Sequence, residues 1–546
     1  MNRELDMNIR SMIAVFLVLG MITAPSYAQD KDQDEGLQQS VLDLIKQLTK
    51  KGVLSRDVAD KLLREAEQAA ARPGAATGFA ASGVAAAGTA AQSGVVPADA
   101  ASGVPAAEPV MPGVVRVPYI PETVKQQMKD EIKVEVLAQA KGERWGDPGA
   151  LPGWLNRISF DGDFRLRYQR DSFPAGNTPP GQYNPAGLTL ISDTTDTHQY
   201  MRVQARLGMK AKVSDTTFTA FRITTGTTTN PVSTNQTLGT GFNKSTLVLD
   251  RAYIQSQPYN WLAFSGGKIP NPWLSTDLVW DTDVNFEGLA LQSKPRISDE
   301  WNGFVTAGAF PYQDIQRSDT IIANSKWLYG AQLGTAWTAP DSSNAQIGIA
   351  LYRFNHVEGT PNDVQGSHYY DMTAAQGMQK GNTLMYVNAV GDPVIYGIAS
   401  KFRELNITAK MDWAAFDPIH VILTGDYVRN LGYDQSEISQ RTGLAAPAPQ
   451  VVGYQAVLSV GVPRIRRSGE WQVSATYKYL ERDAVLDALT DSDFHLGGTN
   501  AKGYIIGGSY GVDNDTWLNL RWISSDQIDG APLSIDTLQL DLNTRF

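Results

Sequence analysis

Charged side chains fall on alternate positions of several segments in this chain. Asp161, Asp163, Arg165 and Arg167 alternate in one, Arg202 and Arg206 in a second, and Arg222, Arg251 and Lys268 follow. A row of guanidinium and ammonium groups on one face makes and breaks no bonds by itself. It attracts anions and raises their local concentration. Downstream, Trp273, Asp277, Asp281 and Asp283 crowd a short polar stretch. Signals for other chemistry are thin. Asp281, Asp283, Asn285 and Glu287 have the oxygen ligands of a calcium loop, but the glycine of the sharp turn and the glutamate of position 12 are missing. Gly239-Thr-Gly-Phe-Asn-Lys-Ser245 carries Asn243 where a phosphate loop needs glycine before lysine. Of the five histidines only His420 lies in a strand-like segment, and His198 with Asp193 or Asp196 is an ordinary loop pairing. Cysteine is absent, so no disulfide, thiolate metal site or cysteine nucleophile exists. The expectation is no enzyme, no metal and no cofactor.

Alternation of this kind needs strands to hold it. In Met201–Val213 the odd positions are Met, Val, Ala, Leu, Met, Ala and Val, and the even ones include Arg202, Gln204, Arg206, Lys210 and Lys212. Such a segment is long for a strand of a soluble sheet, typically about 5–6 residues. The pattern recurs at Phe160–Tyr168, Glu404–Trp413 and Trp471–Tyr479. Segments of roughly 10 alternating residues with aromatics at their apolar ends predict an outer-membrane barrel. The connections alternate too. Ser214-Asp215, 257–260, 340–343, 416–418, 466–469 and 513–515 are short, whereas 170–198, 227–245, 270–282, 311–326, 355–397, 429–451 and 481–501 are long. Tight turns at one end and long loops at the other are expected of a barrel. Sixteen segments count as strands, those at 284–293 and 398–413 alternating least regularly. The fold expected is all-β and transmembrane: an antiparallel outer-membrane barrel of about 16 strands over residues 156–546, with an N-terminal periplasmic helical extension. Leu538, Leu540, Leu542, Thr544 and the terminal Phe546 share one face. They resemble the closing strand of bacterial outer-membrane proteins, whose last aromatic the barrel-assembly machinery reads, which makes Phe546 the expected assembly signal.

Composition is consistent with this. The chain has 546 residues, 42% apolar and 19% charged, and no repeated runs of the roughly 20 apolar residues a helical membrane protein needs. Net charge is −10, which argues against a nucleic-acid partner. The one long apolar run, Ser11–Ile22, is followed by Ala24-Pro-Ser-Tyr-Ala28 and reads as a signal peptide over 1–28, with translation starting at Met1 or Met7. Residues 29–70 read as a helical hairpin, with a structural role or a self-association or cell-wall contact as the alternatives. Residues 71–119 are an Ala/Gly/Pro-rich linker, and 120–144 a helix suited to a short coiled coil. Trp145 and Trp154 flank the approach to the first strand, as at a membrane interface.

Phe160-Asp-Gly-Asp-Phe-Arg-Leu-Arg-Tyr168, Asp250-Arg-Ala-Tyr-Ile254, Gly266-Gly-Lys-Ile-Pro-Asn-Pro-Trp273 and Asp283-Val-Asn-Phe-Glu-Gly-Leu-Ala290 resemble the "putative porin" family of Gram-negative bacteria. The resemblance covers most of the mature chain, most specifically 120–295, and implies an outer-membrane diffusion channel without naming a solute. A sixteen-stranded barrel leaves an aqueous channel. Charge on the lipid face costs about 2–4 kcal/mol at midplane, so the charged faces point inward. That predicts a lumen lined by Arg165, Arg167, Arg202, Arg206, Arg222, Arg251 and Lys268, with few inward acids to balance them, leaning toward anions. By analogy with general porins, 270–282 folds into the pore and offers Trp273, Asp277, Asp281 and Asp283 as a constriction; the alternative is a cap outside. A passive porin for small hydrophilic solutes is the first reading. An envelope-tethering barrel is the second and a barrel enzyme the third. The partners expected are outer-membrane lipid, two further copies in a homotrimer, and peptidoglycan or periplasmic contacts through the N-terminal helices.

Overall fold

The computed structural model describes residues 157–362, 367–388 and 394–546. The signal peptide, hairpin, linker and third helix expected at 1–28, 29–70, 71–119 and 120–144 lie outside them. Sixteen strands form the wall: β1 (Ile158–Ser172), β2 (His198–Lys212), β3 (Thr217–Thr225), β4 (Leu247–Tyr259), β5 (Leu262–Pro270), β6 (Asn285–Ser293), β7 (Trp301–Gln313), β8 (Lys326–Thr338), β9 (Asn344–Asn355), β10 (Arg403–Phe416), β11 (Ile419–Asn430), β12 (Val452–Gly461), β13 (Trp471–Leu480), β14 (Ala501–Asp513), β15 (Thr516–Gln527) and β16 (Ser534–Arg545). Each pairs antiparallel with its chain neighbours, and β1 pairs with β16 from Asp163↔Arg545 to Ser172↔Asp536. The sheet thus closes on itself and has no free edge. No helix among the described residues is long and apolar enough to cross a membrane; the chain crosses with strands.

The alternation fixes which face is which. Leu538, Leu540 and Leu542 of β16 are exposed, whereas Gln539 and Asp541 between them are buried. The same split runs through β9, where Ile347, Ile349 and Leu351 face out and Ala350 and Tyr352 face in. An apolar exterior over a polar interior is stable only with hydrocarbon outside and water or paired charge inside.

The strand predicted at 398–413 begins instead at Arg403, because Leu384–Asn388 and Ile395–Ile398 make a separate two-stranded hairpin within the loop 356–402. Seven connections of two to nine residues sit at one end of the wall, beside the terminal Phe546. At the other end stand the loops 173–197, 226–246, 271–284, 314–325, 356–402, 431–451 and 481–500, with 528–533 as the shortest.

Candidate functional site

The loop after β5, residues 271–284, crosses the barrel interior to the opposite wall. Gln332, inward on β8, accepts from Leu274 N and donates to Leu274 O, both at 2.8 Å. Thr276 donates to Asp426 of β11 from its hydroxyl (2.5 Å) and its backbone N (3.2 Å). Asp277 accepts from Gln455 of β12 at 3.0 Å and pairs with Lys478 of β13 at 3.2 Å. Trp273 sits edge-on to Tyr352, Phe310 and Phe286, with centroids at 5.2, 6.2 and 6.4 Å. Trp280 lies 4.9 Å from Phe286 and 5.1 Å from Tyr352. This aromatic core inside the lumen explains why the loop holds its place. Buried Trp and Phe remove 150–250 Å² each from water, and edge-to-face pairs add to that.

A second loop, 481–500, descends from β13 and meets the first. Asp281 N donates to Leu489 O (2.8 Å), Thr490 Oγ1 to Leu278 O (2.9 Å), and Ser492 N to the Asp281 carboxylate (2.9 Å). Lys478 bridges both loops through Asp277 and, at 2.8 Å, Asp491. The hairpin-bearing loop 356–402 braces it: Asn382 donates to Arg482 O and Val485 O, and Thr383 donates to Asp483. Gly498 has φ +91°, and a Cβ there would meet Lys380 O at 1.9 Å, so this approach is open to glycine alone. Burial, with help from Asp491, pushes the Asp281 carboxyl up to about 8. Burial also pulls Asp493 upward, but Arg167, Arg521 and Arg165 outweigh it and hold that carboxyl far below the usual range.

Arg165, Arg167, Arg202, Arg206, Arg222 and Arg251 occupy the inner face, whereas Arg170 faces out, and the inner ones have acquired partners. Arg167 is bidentate to Asp541 (2.7 and 3.0 Å) and also grips Asp493 (2.9 and 3.0 Å), which Arg521 holds from β15 at 3.1 Å. Arg206 pairs with Asp163 at 2.9 Å and Asp283 at 3.1 Å, Arg222 with Asp250 at 2.6 Å, and Lys268 with Glu287 at 2.7 Å. The expectation of few balancing acids is therefore corrected. Pairing removes the penalty of bringing so many like charges together in a narrow lumen. Three of these inner arginines keep no carboxylate partner among the described residues. Arg165 donates to Asn235 (2.6 Å), Arg251 to Asn285 (2.6 Å) and Arg202 to Ser233 (3.4 Å). The Nε of Arg165 and of Arg202 are buried without any acceptor.

Cavities follow this wall. One of about 1010 Å³ opens at the loop end beside Gln169, Asp171, Tyr200 and Arg202. Another of about 350 Å³ opens at the turn end beside Asp163, Arg165, Gln204 and Arg206. Arg167, 1% exposed, stands between them with Asp493 and Asp541. A third, of about 630 Å³, lies between β3–β4 and the in-folded loops, against Asp250, Lys268 and Asp283.

The predicted loop residues therefore divide. Asp283 touches the basic wall directly, Asp277 reaches the far wall, and Asp281 turns to the loop 481–500. Of the calcium-like spacing, Asp281 accepts from Ser492 N while Asp283 accepts from Arg206 and Thr234. Phe546 closes onto β1, its backbone exchanging two hydrogen bonds with Gly162 (2.9 and 3.0 Å). Sequence reasoning missed Asp493, Asp491, Lys478 and Arg521. A signal existed: 481–500 carries Ala484-Val-Leu486 and Ala488-Leu489 among its carboxylates, apolar residues that an exposed loop has no use for.

Compared with known families, residues 38–546 match the family described as "Putative porin". No curated protein matches. Among solved structures, the outer membrane channel DcaP of Acinetobacter baumannii is 12% identical with a TM-score of 0.38, covering 71% of this chain and 97% of that one. OprB of Pseudomonas putida is 12% identical with a TM-score of 0.42, covering 74% and 97%. OmpF of Salmonella typhi, in complex with daunomycin, is 10% identical with a TM-score of 0.37, covering 71% and 97%.

Proposed function

Because this chain belongs to the putative porin family, we propose that it is a passive diffusion channel for small hydrophilic solutes, leaning toward anions. The long loops face the outside of the cell, and the turns and N-terminal region face the periplasm. Solute moves along the β1–β2 wall, from the larger cavity past Arg202 and Arg165 to the turn end. In-folded loops occupy the rest of the lumen and restrict passage to small molecules. Inside a restricted pore, fixed charge selects the ion that replaces water most favourably.

The observation that carries the anion preference is the trio Arg165, Arg202 and Arg251, which meet only neutral acceptors. Two of them keep a buried donor unmet, and an unmet donor in a polar lumen calls for water or an anion. Arg206 and Arg222 are poorer targets, since Asp163, Asp283 and Asp250 already neutralise them. The test is the reversal potential across a salt gradient in a planar bilayer. The variant R165Q/R202Q/R251Q shifts it toward cations, and an unchanged potential in a folded variant defeats the reading.

A further inference from the structure

Most charges of this barrel turn inward, but three arginines on adjacent strands gather on the outer face. Arg353 of β9, Arg403 of β10 and Arg429 of β11 are exposed, while their sequence neighbours Tyr352, Phe354, Glu404, Val428 and Asn430 are buried inside. Alternation therefore puts all three on the lipid side. Each ends an apolar run on its strand: Ile347, Ile349 and Leu351 precede Arg353, Leu405 and Ile407 adjoin Arg403, and Leu423 and Tyr427 precede Arg429. They lie at the loop end, at the level of outward tyrosines. Tyr329 is the register partner of Arg353, and Tyr427, paired with Tyr454, stands two residues from Arg429. Such an aromatic girdle marks the headgroup region.

The pairing is costly as it stands. Arg353 is directly opposite Arg403, and Arg429 is directly opposite Leu405, one step along the same face. Like charges opposite one another weaken a sheet. None of the three makes an ion pair or a side-chain hydrogen bond among the described residues. The carboxylates nearby are mostly engaged: Glu437 is held by Lys401 at 2.5 Å and Arg441 at 3.6 Å, and Asp434 caps the helix Gln435–Thr442. A cavity of about 440 Å³ adjoins the patch, lined by Arg353, Arg403, Lys401 and His356 together with Glu358. Elsewhere the outward basic residues of the wall stand singly: Lys502 of β14 has the carboxylate Asp526 as its register partner, and Arg170 of β1, also exposed, faces Leu538 and Gln199.

We propose that Arg353, Arg403 and Arg429 form a docking site for the phosphate groups of a phosphorylated glycolipid in the outer leaflet, its acyl chains lying along the apolar runs below. The guanidinium fork matches phosphate oxygens two at a time, and one bridging phosphate converts a repulsive pair into an attractive triad. The inference rests on the outward placement of the long loops and is independent of what the lumen conducts.

The test uses the full chain, folded in detergent and titrated with bisphosphorylated lipid A, its dephosphorylated form, and inorganic phosphate, binding being read by native mass spectrometry. The wild-type protein is expected to prefer the bisphosphorylated lipid. Each arginine near an anionic surface contributes a factor of about five, so R353Q/R403Q/R429Q loses roughly a hundredfold of that affinity and its preference with it. R353K/R403K/R429K keeps the charge and the fold and loses only part, whereas R170Q loses little. Equal binding of both lipids by wild type, wild-type affinity in the glutamine variant shown folded by its heat-modifiable gel mobility, or an equal loss in R170Q would each overturn the proposal. Full displacement by millimolar inorganic phosphate would overturn it in favour of a free-anion site. Loss of ion selectivity in the lumen variants leaves this result unmoved, so the two readings fail separately.

Discussion

Replacing Asp493 by Asn should make the channel more anion-selective by about a factor of seven. Asp493 is the one carboxylate that a loop inserts between Arg167 and Arg521, at 2.9 and 3.1 Å, between the loop-end and turn-end cavities. Asparagine keeps the shape and an acceptor oxygen, so the loop retains its seat. The level between the two cavities gains one positive charge. For an ion passing about 7 Å away, the Coulomb energy of a unit charge is about 0.6 kcal/mol at the dielectric of water and about four times that at an effective value of 20. Taking the watery limit, the anion gains and the cation loses that amount, a difference of about 1.2 kcal/mol. Since 1.4 kcal/mol is tenfold, the chloride-to-potassium permeability ratio rises about sevenfold. The assay is the reversal potential at about 0.1 M salt, where the screening length of about 10 Å leaves the effect visible. Asp529→Asn serves as control: it removes the same charge from the exposed ion pair with Arg482 at the loop-end rim and should shift the ratio little. A folded Asp493→Asn channel whose ratio stays within twofold of wild type would refute the reasoning that the Asp493 carboxylate offsets positive charge along the solute path.

Trp280→Ala removes the centre of the in-lumen aromatic core, at roughly 3–5 kcal/mol for a buried aromatic. Because the strand ladder is untouched, the barrel should stay folded while single-channel conductance rises and flickers. Gly162→Val places a Cβ 2.4 Å from the Phe546 ring and 2.9 Å from Arg206 O. An overpacking cost of about 1–3 kcal/mol at the closing strand should lower the urea midpoint and the folded yield in the outer membrane. The Asp281 carboxyl, raised to about 8 by burial and Asp491, predicts a pH dependence. Below the ordinary carboxylate value the packed and released loops are both protonated. Between there and about 8 the packed loop keeps a proton that the released one gives up, so packing weakens as pH rises, and above 8 the loss is complete. Conductance and loop mobility should therefore increase from about pH 4 to 8, and Asp281→Asn should flatten that rise when single-channel records are compared across pH.

The wall was legible because each strand obeys a local rule. Met201–Val213 shows its two faces residue by residue, and the tight turns announce themselves in Asp417-Pro418 and Asn514-Asp515. The inward direction of Arg165 or Arg222 follows from the cost of charge in hydrocarbon, which needs no knowledge of neighbours. Partners are another matter. Nothing near Arg167 in sequence announces Asp493 or Asp541, because lumen pairing joins residues from distant loops and strands, and period two carries no information about what stands opposite. Segment 398–413 was ambiguous for a related reason. Ile395–Ile398 is β-like and does form a strand, but one spent on the loop hairpin rather than the wall.

The seam between β1 and β16 has a kinetic meaning. Arg167 and Asp541 are 374 residues apart, so the interior ion pair across the seam needs nearly the whole wall to be present. Closing so long a segment is the most entropically demanding step in the molecule, and it is rewarded only after all other ladders exist. Until then β1 and β16 are two open edges able to pair with any other strand. A chain cut short before β16 gains none of this reward, so a truncated product stays sticky and open, and completeness of synthesis is written into the last contact to form.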